Sequence, residues 1–353
     1  MKNTLFISSA GSGKTTLLIK EALSCSENVL ITTFTEENEI EIKRKILELN
    51  MGIFPSHITV QTWFSFLIEH GAKPYQGKLI NKRINGLLLV NERSGLKYKR
   101  KFPIYYSEEE VDKHYFTSDY RIYSDKLSKF VVRCNEKSNG YVIERLASIF
   151  KNIYIDEVQD LAGYDLEIVK LLLVCDINIK LAGDPRQVTY HTHFPSKYVK
   201  YSNGNIIEFI QKECNKIECF VDDSTLSGSW RNNKMICEFS NRLFTNFTPS
   251  VSHEDIRTGH DGIFLIEKKD VDLYLNKYSP LQLRFNRLTK VNPRFDVKNF
   301  GEAKGITCDR VLIYPTKKIL NWLKNGEELD NFEIRCKFYV AVTRARYSVA
   351  IVC

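Results

Sequence analysis

Seven residues near the start of the chain, Ala10-Gly11-Ser12-Gly13-Lys14-Thr15-Thr16, have the types and spacing needed to hold a phosphate. Glycines let backbone N–H groups close around an anion without interference from Cβ, and a helix starting at their end adds partial positive charge. Lys14 would reach the outer phosphates of a nucleoside triphosphate, and Thr15 would hold Mg²⁺. The run Ile153-Tyr154-Ile155-Asp156-Glu157 supplies the complementary chemistry. There an apolar stretch ends in two adjacent carboxylates, Asp156 to bind Mg²⁺ and Glu157 to activate or orient an attacking water. A third apolar run ends in Gly183-Asp184-Pro185-Arg186-Gln187, where the Gln187 amide could bond phosphate or water and move when either leaves.

These groups need rigid elements to hold them. Leu5–Ser9 reads as a short buried strand entering the glycine-rich loop, with a helix over Leu17–Leu23 beyond it. One departure from the general phosphate-loop pattern is Ser8, where a glycine is usual. Next come a β-branched strand, Val29–Thr35, a charged helix, Glu36–Leu49, and a strand that turns into a helix over Ile58–Leu67 with aromatics at the switch. Alternating strands and helices predict an α/β fold with a parallel sheet covered on both faces. Ligands then collect at the carboxyl ends of the strands, where Thr33, Phe34, Thr62 and Trp63 fall. From Ala72 to Asn135 the composition changes to lysine- and tyrosine-rich, and Glu108-Glu109-Glu110 predicts the start of a helix. The segment reads as an insertion. Its basic residues, interleaved with Tyr98, Phe102, Tyr105 and Tyr106, suit either a surface that follows a nucleic-acid backbone and stacks bases or a plain solvated basic face.

Composition narrows the classes. A chain of 353 residues suits two domains with room for an insertion, and 43% hydrophobic with 27% charged residues is the balance of a globular protein. The net charge of +8 permits a polyanionic partner without demanding one. The nine cysteines show neither a CxxC pair nor a Cys/His block, so reduced thiols are expected and a disulfide framework or zinc module is not. His191 and His193 lack a third ligand in the sequence. No apolar run approaches the ~18 residues of a membrane span, and the first residues lead directly into a strand, so a cytoplasmic protein without membrane partners is the expectation.

In the order phosphate loop, Thr33-Phe34-Thr35, Thr62-Trp63-Phe64-Ser65-Phe66, Ile155-Asp156-Glu157-Val158-Gln159-Asp160 and Gly183–Gln187, the chain resembles the UvrD/Rep/PcrA-like helicases of superfamily one. The second half continues the resemblance. Leu226–Arg231, followed by a predicted helix over Lys234–Phe244, is similar to the family's fourth motif, with Trp230-Arg231 in place of its Tyr-Arg pair. Ala303-Lys304-Gly305 before a strand at Arg310–Tyr314 resembles the AKG motif, and Phe338–Arg346 the motif that ends in Thr343-Arg344-Ala345, ahead of a last strand at Tyr347–Cys353. The resemblance spans Leu5 to Val352.

It implies two RecA-like parallel-sheet domains with a small subdomain inserted in the first: residues 1–72 and 136–205, the insertion 73–135, and a second domain over 206–353. It implies ATP and Mg²⁺ held by Ala10, Gly11, Ser12, Gly13, Lys14, Thr15, Thr16 and Asp156, with Trp230 stacked on adenine and Gly305 near the ribose. Arg231 and Arg344 would contact the γ-phosphate, and Lys14, Asp156, Glu157, Gln187, Arg231 and Arg344 would carry hydrolysis. Thr33, Phe34, Thr35, Thr62, Trp63, Tyr190 and Lys304 would face single-stranded or partly duplex DNA, with 3′-to-5′ movement. Departures accompany it: Asn299 and Gly301 replace the Thr and His before AKG, Thr307 an acid after it, and Thr192 a tryptophan. The segment before Ala10 has no room for the family's adenine-reading Gln motif, which predicts relaxed base selectivity. About seventy residues between Arg231 and Gly301 leave no space for the family's large second insertion, a count taken along the chain. The alternatives are a nucleotide-gated clamp on nucleic acid or protein, and an RNA helicase. A nuclease is a candidate partner.

Overall fold

The computed structural model describes residues 3–189 and 197–353 and contains two compact units. The first comprises the described residues of Met1–Leu5, Thr15–Gly183 and His191–Val221; the second, those of Phe6–Lys14, Asp184–Tyr190 and Asp222–Cys353. The phosphate-loop segment up to Lys14 therefore groups with the C-terminal part of the chain.

Runs such as Val29-Leu30-Ile31 and Ile153-Tyr154-Ile155 are apolar on successive residues, a pattern that a strand satisfies only when both of its faces are covered. They form the middle of a six-stranded sheet built from β1 (Asn3–Ile7), β2 (Val29–Thr33), β3 (Ile58–Thr62), β4 (Asn152–Asp156), β5 (Asn178–Gly183) and β6 (Cys219–Asp222), in the spatial order β6-β1-β5-β4-β2-β3. Every residue of β2 and β4 is buried. The pairs β2–β3, β2–β4 and β4–β5 are parallel, in registers that set Thr33 beside Thr62 and Asp156 beside Ala182. Register thus brings the polar tips of four strands to one edge of the sheet.

Capping fixes where the following helices begin. The Thr35 hydroxyl accepts the Asn38 N–H at 3.2 Å to start the helix Glu36–Leu49, whose first turn carries three acids. The Thr62 hydroxyl accepts the Ser65 N–H at 3.1 Å and starts the short helix Trp63–Phe66. The insertion forms two small sheets, Gly86–Leu88 parallel to Arg121–Tyr123 and Leu96–Tyr98 antiparallel to Ile104–Tyr105, with a five-residue helix after the acidic triplet at Val111–Tyr115.

The second unit is organised on five strands, β7 (Gly262–Ile266), β8 (Leu281–Arg284), β9 (Val297–Asn299), β10 (Cys308–Tyr314) and β11 (Ala345–Val352). They are parallel throughout, in the order β7-β11-β10-β8-β9. Their apolar faces pack with Ile236, Phe239, Phe338 and Val342, and the same core takes in Ala10 and Val188. Both units are α/β with parallel sheets, as the alternating pattern predicts. Among the described residues no helix is long and apolar enough to cross a membrane, and all nine cysteines are free thiols.

Candidate active site

In the second unit the glycine-rich loop is held from several directions. Arg186 is 3% exposed; its guanidinium donates to Asp184 Oδ1 at 2.7 Å, to the Ser8 carbonyl at 2.8 Å and to Ser9 Oγ at 3.2 Å. A buried guanidinium needs such a set of acceptors, and here the set ties the Gly183–Gln187 tip to the chain entering the loop. Tyr339, in the helix Phe332–Val342, donates its hydroxyl to Asp184 Oδ2 at 3.2 Å and accepts the Ala10 N–H at 3.4 Å. Burial raises the Tyr339 phenol well above its ordinary range, so it stays protonated and able to donate.

The Ser229-Trp230-Arg231 segment lies against the same loop. Ser229 Oγ donates to the Ala10 carbonyl at 2.8 Å, and the Trp230 N–H donates to the Gly11 carbonyl at 2.9 Å. Gly11 has φ +73°, and a Cβ there would stand 2.6 Å from Arg231 Cβ and 2.8 Å from Ser229 Oγ, so only glycine admits this approach. Asn232 anchors the segment to the C-terminal motif, donating to the Thr343 and Ala345 carbonyls at 3.1 and 2.6 Å. Arg231 donates to the Thr343 carbonyl at 3.4 Å. Arg344 follows the end of the helix Phe332–Val342, where the helix dipole favours a cation. It is 2% exposed and donates to the Val340 carbonyl at 3.0 Å, the Ile306 carbonyl at 3.2 Å and Gln187 Oε1 at 3.2 Å. Gln187 in turn donates its amide to Asp184 Oδ2 at 2.8 Å, so the side chain that would sense phosphate is oriented at both ends. Burial pushes the nearby Cys308 and Cys336 thiols up to about 11 and about 12, leaving them unreactive. Lys304 and Gly305 form a turn before β10, with Gly305 at φ +85°.

In the first unit, β4 delivers the carboxylates. The Thr15 hydroxyl donates to Asp156 Oδ2 at 2.8 Å, the pairing expected of two groups that share one Mg²⁺. Glu157 has φ +58°, a backbone conformation that non-glycine residues rarely adopt and that collects at functional turns. Its N–H donates to Asp156 Oδ1 at 2.9 Å and its carboxylate accepts from the Gln159 amide. Gly183 leaves room for that amide, since a Cβ there would lie 2.3 Å from Gln159 Oε1.

The residues present fit a bound triphosphate and metal. In the second unit Ser12 Oγ is buried without a hydrogen-bond partner among the described residues, and in the first unit Thr15 with Asp156 offers the hard oxygens that Mg²⁺ takes.

The strand tips expected to face nucleic acid divide into two groups. Thr32, Thr33, Phe34, Trp63, Asp156 and Glu157 line one narrow crevice, and Phe34, half-buried, meets Phe64 edge to face at 5.6 Å. Trp63 differs from the expectation: its ring is 1% exposed and its N–H donates to Asp165 at 2.7 Å, so it is core, and no face is left for a base. The Thr35 and Thr62 hydroxyls are helix caps. Tyr190, Thr192, His191 and His193 lie outside the described residues. Trp230, by contrast, is 67% exposed and is not a core aromatic.

The sequence motifs single out no role for Asp184, Arg186, Ser229, Asn232 and Tyr339, the groups that position the loop. An acid and an arginine two apart at an apolar strand's tip, and polar residues flanking Trp230-Arg231, were the available signals.

A family model described as the viral superfamily 1 RNA helicase core domain matches residues 133–353, well over half of the chain. The chain belongs to this family. The superfamily-one resemblance is therefore established, while the narrower UvrD/Rep/PcrA-like assignment is not. No curated protein matches the chain. Among solved structures it is similar to an arterivirus nonstructural protein 10 helicase, at 12% identity over 99% of this chain and 59% of that one, with a TM-score of 0.49. The PRRSV helicase is similar at 14% identity, over 99% and 52%, with a TM-score of 0.46. A complex of the arterivirus helicase with DNA is similar at 12% identity, over 100% and 60%, with a TM-score of 0.49. The helicase core seen here thus spans between 52% and 60% of the length of these solved chains.

Proposed function

We propose that the chain is the motor of a nucleic-acid-dependent ATPase that steps along a single strand. The observation that carries this reading is the convergence of Ser229-Trp230-Arg231 and Thr343-Arg344 on the Ala10–Gly11 loop and on Gln187. A simple phosphate binder has no need of one arginine brought to its loop and a second brought to Gln187 from distant parts of the chain. Gly11–Thr16 would hold the phosphates, Lys14 the outermost of them, and Thr15 with Asp156 would hold Mg²⁺, which when bound would neutralise charge on the phosphate oxygens. Glu157 takes the proton of the attacking water or orients it. Arg344 exchanges its carbonyl partners for the γ-phosphate in the transition state, and Gln187, already bonded to it, links the phosphate's presence to that exchange.

The proposed organisation is a first ATPase domain over 1–72 and 136–205, an inserted subdomain over 73–135 and a second ATPase domain over 206–353. Phe34, Thr35, Thr62, Lys304 and Tyr190 contact the strand, while Trp63 stays in the core of the first unit. The Trp230-Arg231 and Asp156–Asp160 motifs favour single-stranded DNA, and resemblance to the UvrD/Rep/PcrA-like group, not any residue here, suggests 3′-to-5′ movement. RNA is the second reading, favoured by the description of the matched family.

The test is ATP hydrolysis with and without single strands of DNA and RNA, beside strand displacement on substrates tailed at either end. Hydrolysis stimulated by one polymer, lost in Lys14→Ala and Glu157→Gln, and accompanied by displacement is the expected result. Stimulation without displacement or translocation would make the chain a nucleotide-gated clamp.

A further inference from the structure

Trp230 presents two-thirds of its surface to solvent, although it stands in a segment whose backbone is fixed on either side. Its N–H is bonded to the Gly11 carbonyl, and its Cδ1 lies 4.0 Å from where a Cβ of Gly13 would be. One face of the indole meets His253, with ring centroids 4.5 Å apart and planes inclined by 34°. This pairing is built by the backbone. Gly228–Ser229 and Val251–Ser252 form a short parallel ladder in the register Gly228 to Val251 and Ser229 to Ser252, and the His253 N–H donates to the Ser229 carbonyl at 2.8 Å. The register therefore brings His253 alongside Trp230.

Gly228 completes the arrangement. A Cβ at this position would stand 2.0 Å from His253 Nε2 and 2.5 Å from its Cδ2, and the three atoms nearest to that Cβ all belong to the imidazole. Gly228 is thus small to make room for the ring.

We propose that His253 is a positioning residue for nucleotide binding: it backs the Trp230 indole, and the two rings form a platform on whose open side the nucleobase stacks. The proposal rests on the reading of Trp230 as the base-contacting residue and adds what holds that ring in place. A tryptophan on a mobile rotamer loses freedom when a base settles on it; one already stacked on imidazole has less to lose, so His253 improves affinity without touching the nucleotide. Stacking reads the π-face that every base has, so the effect of His253 is shared by all four nucleotides.

The test is steady-state hydrolysis of ATP, GTP, CTP and UTP by the full chain and its His253→Ala, Gly228→Ala, double and Trp230→Ala variants. His253→Ala is expected to raise KM for all four substrates by about 3- to 10-fold while kcat stays within about twofold, because the loss falls on binding and not on the chemical step. Gly228→Ala should reproduce this by displacing the ring. It should add nothing in the His253→Ala background, where the new methyl has space. Should Gly228→Ala fail to fold, His253→Ala alone decides. An unchanged KM for all four substrates in His253→Ala, or a fall in kcat with KM constant, overturns the proposal. If Trp230→Ala raises KM and His253→Ala does not, the platform fails while Trp230 keeps its role. An unchanged KM in Trp230→Ala removes the reading beneath it.

Discussion

Each unit holds an arginine against a carboxylate, and the two pairs differ in almost everything else. In the first unit Glu108, in the insertion, receives Arg133 and Lys129 together with the Tyr115 hydroxyl at 2.7 Å, and the side chains of Arg133 and Glu108 are 34% and 31% exposed. In the second unit Arg186 and Asp184 are 3% and 1% exposed, and the guanidinium also binds the main chain that enters the phosphate loop. Water competes for the first pair and screens it; nothing replaces the partners of the second. The exposed pair shapes a surface, whereas the buried pair holds the glycine-rich loop.

The comparison breaks if the buried pair proves dispensable. Arg186→Ala takes the guanidinium away from Asp184 Oδ1 and from the Ser8 carbonyl and should destabilise the second unit by about 3–5 kcal/mol, read from the urea midpoint. Arg186→Lys should recover little of this, because an ammonium cannot span Asp184, Ser8 and Ser9 at once. A variant as stable as the parent would put the loop's support elsewhere.

A smaller effect belongs to the exposed pair. Burial alone would raise the Glu108 carboxyl, but the bonds from Arg133, Lys129 and Tyr115 outweigh it and lower its pKa to about 2. A depressed folded-state value means that the pair's contribution is fully present above the ordinary carboxylate pKa of 4.5 and is lost as pH falls from there through about 2. For so exposed a pair the contribution is below about 1 kcal/mol. Thermal midpoints measured between pH 5 and pH 2.5 should fall slightly more for the parent than for Glu108→Gln, whose amide does not titrate in that range. Equal falls would mean that the cluster contributes nothing to the insertion.

The same contrast explains what could be read from the chain alone. Elements set by local pattern were legible: the helix Glu36–Leu49, the switch from strand to helix at Thr62 and Trp63, and the strands that end at Asp156 and Gly183 follow from periodicity, capping and turn residues. The short distance from Thr15 to Asp156 joins two motifs that follow β1 and β4, strands separated in the sheet by β5. Side-chain burial was not legible. Trp63 looks available at a strand's end, yet it turns inward to an acid 102 residues away, while Trp230, a ring that could have been core, is left outside by the bond from its own N–H to Gly11. Arg186 and Tyr339 act on the phosphate loop over separations of 178 and 329 residues, and no local pattern encodes such contacts. Where chemistry depends on a residue's type, the sequence speaks; where it depends on which partner reaches a residue from far along the chain, only the fold does.

We propose that Arg344, lodged between the Val340 and Ile306 carbonyls and Gln187, serves the transition state of phosphate transfer. The direct measurement is single-turnover ATP hydrolysis by Arg344→Ala, taken beside the affinity of the same variant for a non-hydrolysable ATP analogue. The account predicts an affinity within about threefold of the parent and hydrolysis slower by about 10³-fold or more. Hydrolysis at the parent rate would contradict it.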